Sequence, residues 1–466
     1  MKRFSTYFLA FAIMLLAFNS CEDYSKHTVG PFNTGSIDVS KYISVGNSLA
    51  AGYQSGALYE AAEMYSFPNL LARQMGVKDF KQPMISPGIG DQIAIQKFTI
   101  DPQNPIIVTQ QQLVGQPTVT GPYQNLGIPG AILADYLNAD AQTGGIKERA
   151  KANPFYGIVL GSAEMSKPVP SIQDVVASQN PTFVTFWLGN NDALGYVTSG
   201  GTLPMNTVPV FTQLYGASIN SILGINSTVK IVAGNIPNVA DIPFATTVGP
   251  IFKAQLQQAG ITGIYYFKTQ SNGSEQATVM PATSIGNPTQ ALILLTAQNY
   301  LPLIGQPTGK YWRDIAAQKG VPVSAIIQSY GGALDTTKPF IVSPQNPLPN
   351  SLILDSDEIT NAQTTIDGFN NAIKTVVGSS DRVALLDINS IFNNIVTTGG
   401  ITEDGITLTP TIGSLFSFDG VHPTNRGYAV VTNEIIKLIN NTYGANIQRI
   451  NLESIPEGFP LAAGAN

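Results

Sequence analysis

The chain has 466 residues, 43% of them apolar and only 12% charged, with a formal net charge of −6. That apolar share excludes a disordered chain. No run of basic residues supplies the electrostatic footprint of a nucleic-acid binder.

At the N-terminus, Lys2 and Arg3 precede the apolar run Tyr7 to Phe18, which is short for a membrane span and reads as a secretory signal over residues 1–20. Cys21 is the one cysteine, so no internal disulfide is available to it. With Ser20 before it, the stretch resembles the cleavage site of bacterial lipoproteins, although Phe18 and Asn19 are larger than the usual residues there. That resemblance implies lipidation of Cys21 and a membrane anchor on a bacterial cell envelope, with the outer membrane as the expected location. The other reading is an ordinary signal peptide followed by a stray thiol. Residues 21–36 are polar with Gly and Pro, and read as a tether to a body over 37–466. Losing Lys2 and Arg3 with the signal takes the net charge from −6 to −8.

Strands and helices alternate along the body. "YISV" (42–45) is a short strand, and "SFPNLLARQMG" (66–76) a helix with Pro68 in its first turn and Gly76 at its end. A glycine turn leads to a helix at 130–139, and 171–179 is helical. "TFVTFWLG" (182–189) is an almost unbroken β-branched and aromatic run, as expected of a strand covered on both faces of a parallel sheet. "TVKIVAGNIP" (228–237) and "RVALLDI" (382–388) repeat that signature. Between them Ile359, Ile366, Phe369, Ile373 and Val376 fall at helical spacing. Such alternation predicts a doubly wound α/β sheet, in which ligands bind outside the carboxyl ends of the strands.

Four stretches carry residues suited to chemistry. In "YISVGNSLAAGY", Ser48 falls just beyond the first strand, either as a turn residue or as a nucleophile at the sheet edge. A serine hydroxyl needs a base oriented by a third group. Of the two histidines, His27 lies in the tether, which leaves His422. Asp419 precedes it by three residues in "FDGVHPT", close enough in a turn to hold the imidazole Nδ1–H, and Thr424 is placed to cap the helix that follows. The alternative is a surface Asp-Gly turn with an incidental histidine. "LGNNDAL" ends the most apolar strand and offers the Asn191 amide as an oxyanion donor, unless it is simply a turn. "QNLGIPG" carries Gly127 and Gly130, where backbone can approach a ligand and present an N–H.

In order and spacing these stretches resemble the blocks of the SGNH, or GDSL, hydrolase superfamily. The resemblance implies a flavodoxin-like three-layer α/β/α sandwich and an esterase, lipase or acylhydrolase of the serine class. It makes Ser48 the nucleophile, His422 the base and Asp419 its orienting acid. The oxyanion hole would be the N–H groups of Ser48 and Gly130 and the side chain of Asn191. No cofactor or metal is called for, and the partner is an acyl-ester substrate, lipid or acylated glycan. The first block departs from the family, having Asn47 where Asp is usual, which bears on rate rather than fold. The other function class is a lipid-anchored protein that binds glycan or lipid on the same fold without turnover.

Size is the larger departure, with Asp192 and Asp419 lying 227 residues apart. The excess falls at about 245–352, where apolar runs such as "ALILLTAQNYLPLIG" predict a folded cap. A second expansion spans 77–122. Both follow strand ends and are expected to shape the substrate pocket; the alternative is that they pack on the far side and only enlarge the core.

Overall fold

The computed structural model describes residues 33–98, 106–138, 152–161 and 170–465. The expected signal, Cys21 and most of the tether lie outside those residues.

Five strands form the central sheet: β1 (Tyr42–Gly46), β2 (Asn125–Gly127), β3 (Phe183–Trp187), β4 (Lys230–Gly234) and β5 (Val383–Leu386). Every neighbouring pair is parallel, and the spatial order is β2-β1-β3-β4-β5. Parallel strands need crossover connections, and here the crossovers put helices on both faces. Because side chains alternate along a strand, each strand feeds both layers. Ile43, Val45, Val184, Phe186, Ile231 and Ala233 point into one core, while Tyr42, Phe183, Trp187 and Val232 point into the other.

For the helices that matter to the site we use α1 (Ser48–Ala51), α2 (Phe67–Gln74), α3 (Asn191–Thr198), α4 (Val208–Leu223), α5 (Ser356–Val377), α6 (Ile388–Thr398) and α7 (Asn425–Tyr443). Helices α4 and α5 close the first core, with Phe211 and Phe369 stacked at 3.9 Å between ring centroids. Helices α2, α6 and α7 close the second. The chain is therefore a three-layer α/β/α sandwich. Its order is the flavodoxin-like 2-1-3-4-5, whose switch point, where ligands bind, falls between β1 and β3.

The apolar runs at 42–45, 182–189, 228–237 and 382–388 all contain strands of this sheet, as their composition predicts. Strand β2 was not predicted. It sits inside the stretch read as a glycine turn, and three residues with Asn and Gly carry no strand signature. Gly127 consequently has a different role from the one expected: a Cβ there would lie 2.3 Å from the Ala51 nitrogen, so it admits α1 rather than a ligand.

The two expansions fold in their own ways. Over 77–122 two long strands, Ile85–Phe98 and Ile106–Pro117, form an antiparallel hairpin that pairs with Ala57–Leu58. The insertion builds a separate hydrophobic cluster around Phe252, Phe267, Trp312 and Phe340. Its Leu292 and Leu294 join the first core of the sandwich, and just before it the Phe244 N–H donates to the Gly420 carbonyl, at 2.9 Å.

Candidate active site

Sheet register gathers three of the four stretches. Gly46 is paired with Gly127 on one side and with Trp187 on the other, so β1, β2 and β3 end at one level. Ser48, Gly130 and Asn191 follow those ends within a few residues. Gly46 is needed because a Cβ there would stand 2.5 Å from that of Ala50, preventing the chain from turning so sharply into α1. The Asn47 side chain caps α1 by accepting from the Leu49 N–H at 3.0 Å. Asparagine caps as well as aspartate does, so the exchange at this position keeps the turn.

The fourth stretch arrives from the far end of the chain and is fastened to the first. Ser417 Oγ accepts from the Ser55 N–H, Ser55 Oγ accepts from the Phe418 N–H, and Gln54 donates to Asn425 at 2.7 Å. The Tyr428 hydroxyl donates to the Tyr53 carbonyl at 2.8 Å. Thr424 caps α7 through the Gly427 N–H. The turn carrying His422 is thereby held over Ser48.

His422 Nε2 lies 2.9 Å from Ser48 Oγ, and its Nδ1 lies 2.9 Å from Asp419 Oδ2. Asp419 accepts further bonds from the N–H groups of Gly56, Val421 and His422 and from the Ser417 hydroxyl. Burial alone would push this carboxyl up, but the adjacent imidazole and these donors outweigh burial and hold it at about 2. It therefore stays anionic toward His422 at neutral pH. Ser48 is 7% exposed and faces a pocket that His422 and Asn191 also line. Tyr53 lies against the imidazole at 4.8 Å between ring centroids.

The three expected oxyanion donors are in different states. Among the described residues, the Ser48 and Gly130 N–H groups donate to no protein atom. Gly130 adopts a φ of +83°, and its loop is held by Asn153, whose amide donates to the Pro129 carbonyl at 2.7 Å. Asn191 donates one amide N–H to the Ala131 carbonyl at 2.8 Å, which leaves its second N–H available. Asp192 ties the same two loops together, accepting from the Leu133 N–H at 2.9 Å and from Asn206 at 2.8 Å.

Three contributors escaped the sequence reading: Tyr53, Gly56 and Asp192. Gly56 and Tyr53 act through the close approach of segments more than 360 residues apart, for which no local pattern exists. Asp192 was visible as part of "GNND", but not its bonds across to the glycine loop. Among the described residues the expansions do not line the pocket as expected: no pocket-lining side chain comes from 245–352 or 77–122, and the wall nearest the insertion is Pro237, Val239 and Ile242. Phe244, the residue before the insertion, instead touches the His422 turn at Gly420, and the hairpin pairs with the strand that follows Gly56.

Among the described residues, no group of three or more His, Cys, Asp or Glu side chains is arranged to hold a metal ion. Neither a family model nor a curated protein matches the chain. A family 3 carbohydrate esterase from Clostridium thermocellum is a solved structure to which the chain is similar, at 15% identity over 47% of this chain and 73% of that one, with a TM-score of 0.19.

Proposed function

We infer that this protein is a serine hydrolase of carboxylic esters. The observation that carries the reading is the unbroken relay from Ser48 Oγ through the His422 ring to Asp419, with both links at 2.9 Å and at the switch point of the sheet. Ser48 Oγ attacks the ester carbonyl carbon while His422 Nε2 takes the hydroxyl proton. The oxyanion is met by the N–H groups of Ser48 and Gly130 and by the Asn191 amide. Collapse breaks the bond to the alkoxy oxygen, which leaves as the alcohol with the proton from His422. Water, deprotonated by the same nitrogen, then attacks the acyl-serine and releases the acid and the free serine. Asp419 stays ionised throughout, fixing the imidazole tautomer and stabilising its charged form.

The N-terminal stretch supports a place for this activity on a bacterial cell envelope, exported and anchored through a lipid on Cys21, with the outer membrane as the expected location. Among the described residues no helix is long and apolar enough to cross a membrane.

The test is hydrolysis of nitrophenyl butyrate by the domain beginning after Cys21. Wild type is expected to turn over, and Ser48→Ala and His422→Ala to fall to the rate of buffer. Equal rates in wild type and Ser48→Ala would remove Ser48 from the reaction.

A further inference from the structure

The pocket beside Ser48 extends well beyond the reacting groups. Its polar lining residues, Asn47, Ser48, Asn190, Asn191 and His422, belong to the strand-end loops and the His422 turn, and one more, Glu434, stands apart on α7. The rest of the lining is apolar or glycine. Helix α6 follows the carboxyl end of β5 and α7 follows His422, so both begin at the catalytic edge and run back from it. Ile388, Ile391 and Ile395 of α6 and Gly427, Val431 and Glu434 of α7 line the pocket at helical spacing, one face of each helix. Seven residues along each helix make a groove about 10 Å long, the length of about eight extended alkyl carbons.

The groove also exposes apolar surface that packing could have covered. Leu49, Ile391, Val421 and Val431 are only partly buried where they line it. Covering such surface with another apolar group is favourable. At the far end, Glu434 pairs with the exposed Lys437 at 3.2 Å, so charge terminates the apolar path.

Resting on the ester-hydrolase reading, we propose that this groove holds the acyl chain of the substrate, which is an ester of a medium-chain fatty acid of about eight carbons rather than an acetyl ester. The carbonyl sits at Ser48, the chain lies between α6 and α7, and its methyl end stops short of Glu434. The alcohol part leaves through the open mouth.

The test combines turnover with binding. For nitrophenyl esters from acetate to laurate, kcat/KM is expected to rise up to about fourfold per added methylene, to a maximum near octanoate. Octanoate is expected to bind the wild type more tightly than butyrate by calorimetry. Val431→Trp, which fills the groove one turn in, is expected to lower the octanoate-to-acetate ratio of kcat/KM at least tenfold and to weaken octanoate binding. Glu434→Leu, which lengthens the apolar path, is expected to move the optimum to longer chains, and it serves as the second reading should Val431→Trp fold poorly. Acetate hydrolysed best, with no octanoate binding, would overturn the acyl groove and leave the esterase reading intact. Octanoate bound and displaced by Val431→Trp, with no ester turned over, would uphold the groove and overturn the esterase reading.

Discussion

At the residue scale, the site is defined by which polar groups are already satisfied and which are not. Asp419 is saturated with donors, whereas the N–H groups of Ser48 and Gly130 donate to no described residue. Asn191 lies between these cases, with one amide hydrogen engaged by Ala131 and one free. Replacing it with Ala is expected to lower kcat by about 10²–10³, the usual effect of losing one oxyanion donor, with KM changing little. Steady-state kinetics on nitrophenyl butyrate measures this, and an unchanged kcat would remove Asn191 from the oxyanion hole. Of the residues expected to act, His422 and Asp419 were picked out because a base is scarce in this chain, whereas Ser48, Gly130 and Asn191, of common residue types, stood out only by their order and spacing after strand ends. One histidine in the body leaves one base, and an aspartate three residues before it can fold back without help from the rest of the chain. Tyr53 was not legible: it lies in the opening stretch as an ordinary aromatic, and only the folded chain lays it on the imidazole.

At the scale of elements, the sheet's register brings the loops to one level, and Asp192 holds two of them there. Its carboxylate, 6% exposed, accepts from the Leu133 N–H and from Asn206, joining the β3 loop to the β2 loop. Asp192→Ala would leave a buried N–H without a partner, which is expected to destabilise the fold by about 1–3 kcal/mol. Urea denaturation measures the loss, and a change below about 0.5 kcal/mol, the range of an ordinary surface substitution, would contradict this role. Strands β1, β3, β4 and β5 were readable because a strand covered on both faces must be apolar throughout. Helix α5 was readable from its spacing, with Ile359, Ile366, Phe369 and Ile373 buried as predicted, while Val376 is only partly buried and Val377 takes the buried place. Strand β2 and the long hairpin were not. The first is too short to show a pattern, and the second carries the Gln-rich run "TQQQL" where alternation of apolar residues would have marked a strand. The groove between α6 and α7 was equally invisible, since apolar residues that line a cavity and those that fill a core look alike in one dimension.

At the scale of the whole molecule, burial of carboxyl groups away from the site sets how stability responds to pH. Burial pushes Glu63 and Glu358 up to about 7, and the backbone N–H bonds each accepts only partly offset it. Glu63 accepts from Met84 at the start of the hairpin, and Glu358 accepts from Asp355 at the start of α5. The first bond ties the hairpin expansion to the rest of the chain, and the second belongs to the capping box that starts α5. The folded chain binds these protons more readily than the unfolded one, so their contribution is full below about pH 4.5 and is lost as pH rises to about 7. Asp419 works in the opposite sense: its lowered value contributes stability above about pH 4, lost as pH falls toward 2. The urea midpoint is accordingly expected to be higher at pH 5 than at pH 7.5, and the reverse order would contradict the burial of the two glutamates.

The central claim is that Ser48 is a nucleophile activated by His422. Labelling with a fluorophosphonate, followed by mass spectrometry of the peptide carrying the adduct, tests it most directly. The wild type is expected to carry one phosphonyl group on Ser48, with much slower labelling in His422→Ala and none in Ser48→Ala. A folded wild type that stays unlabelled, or an adduct on another residue, would contradict it.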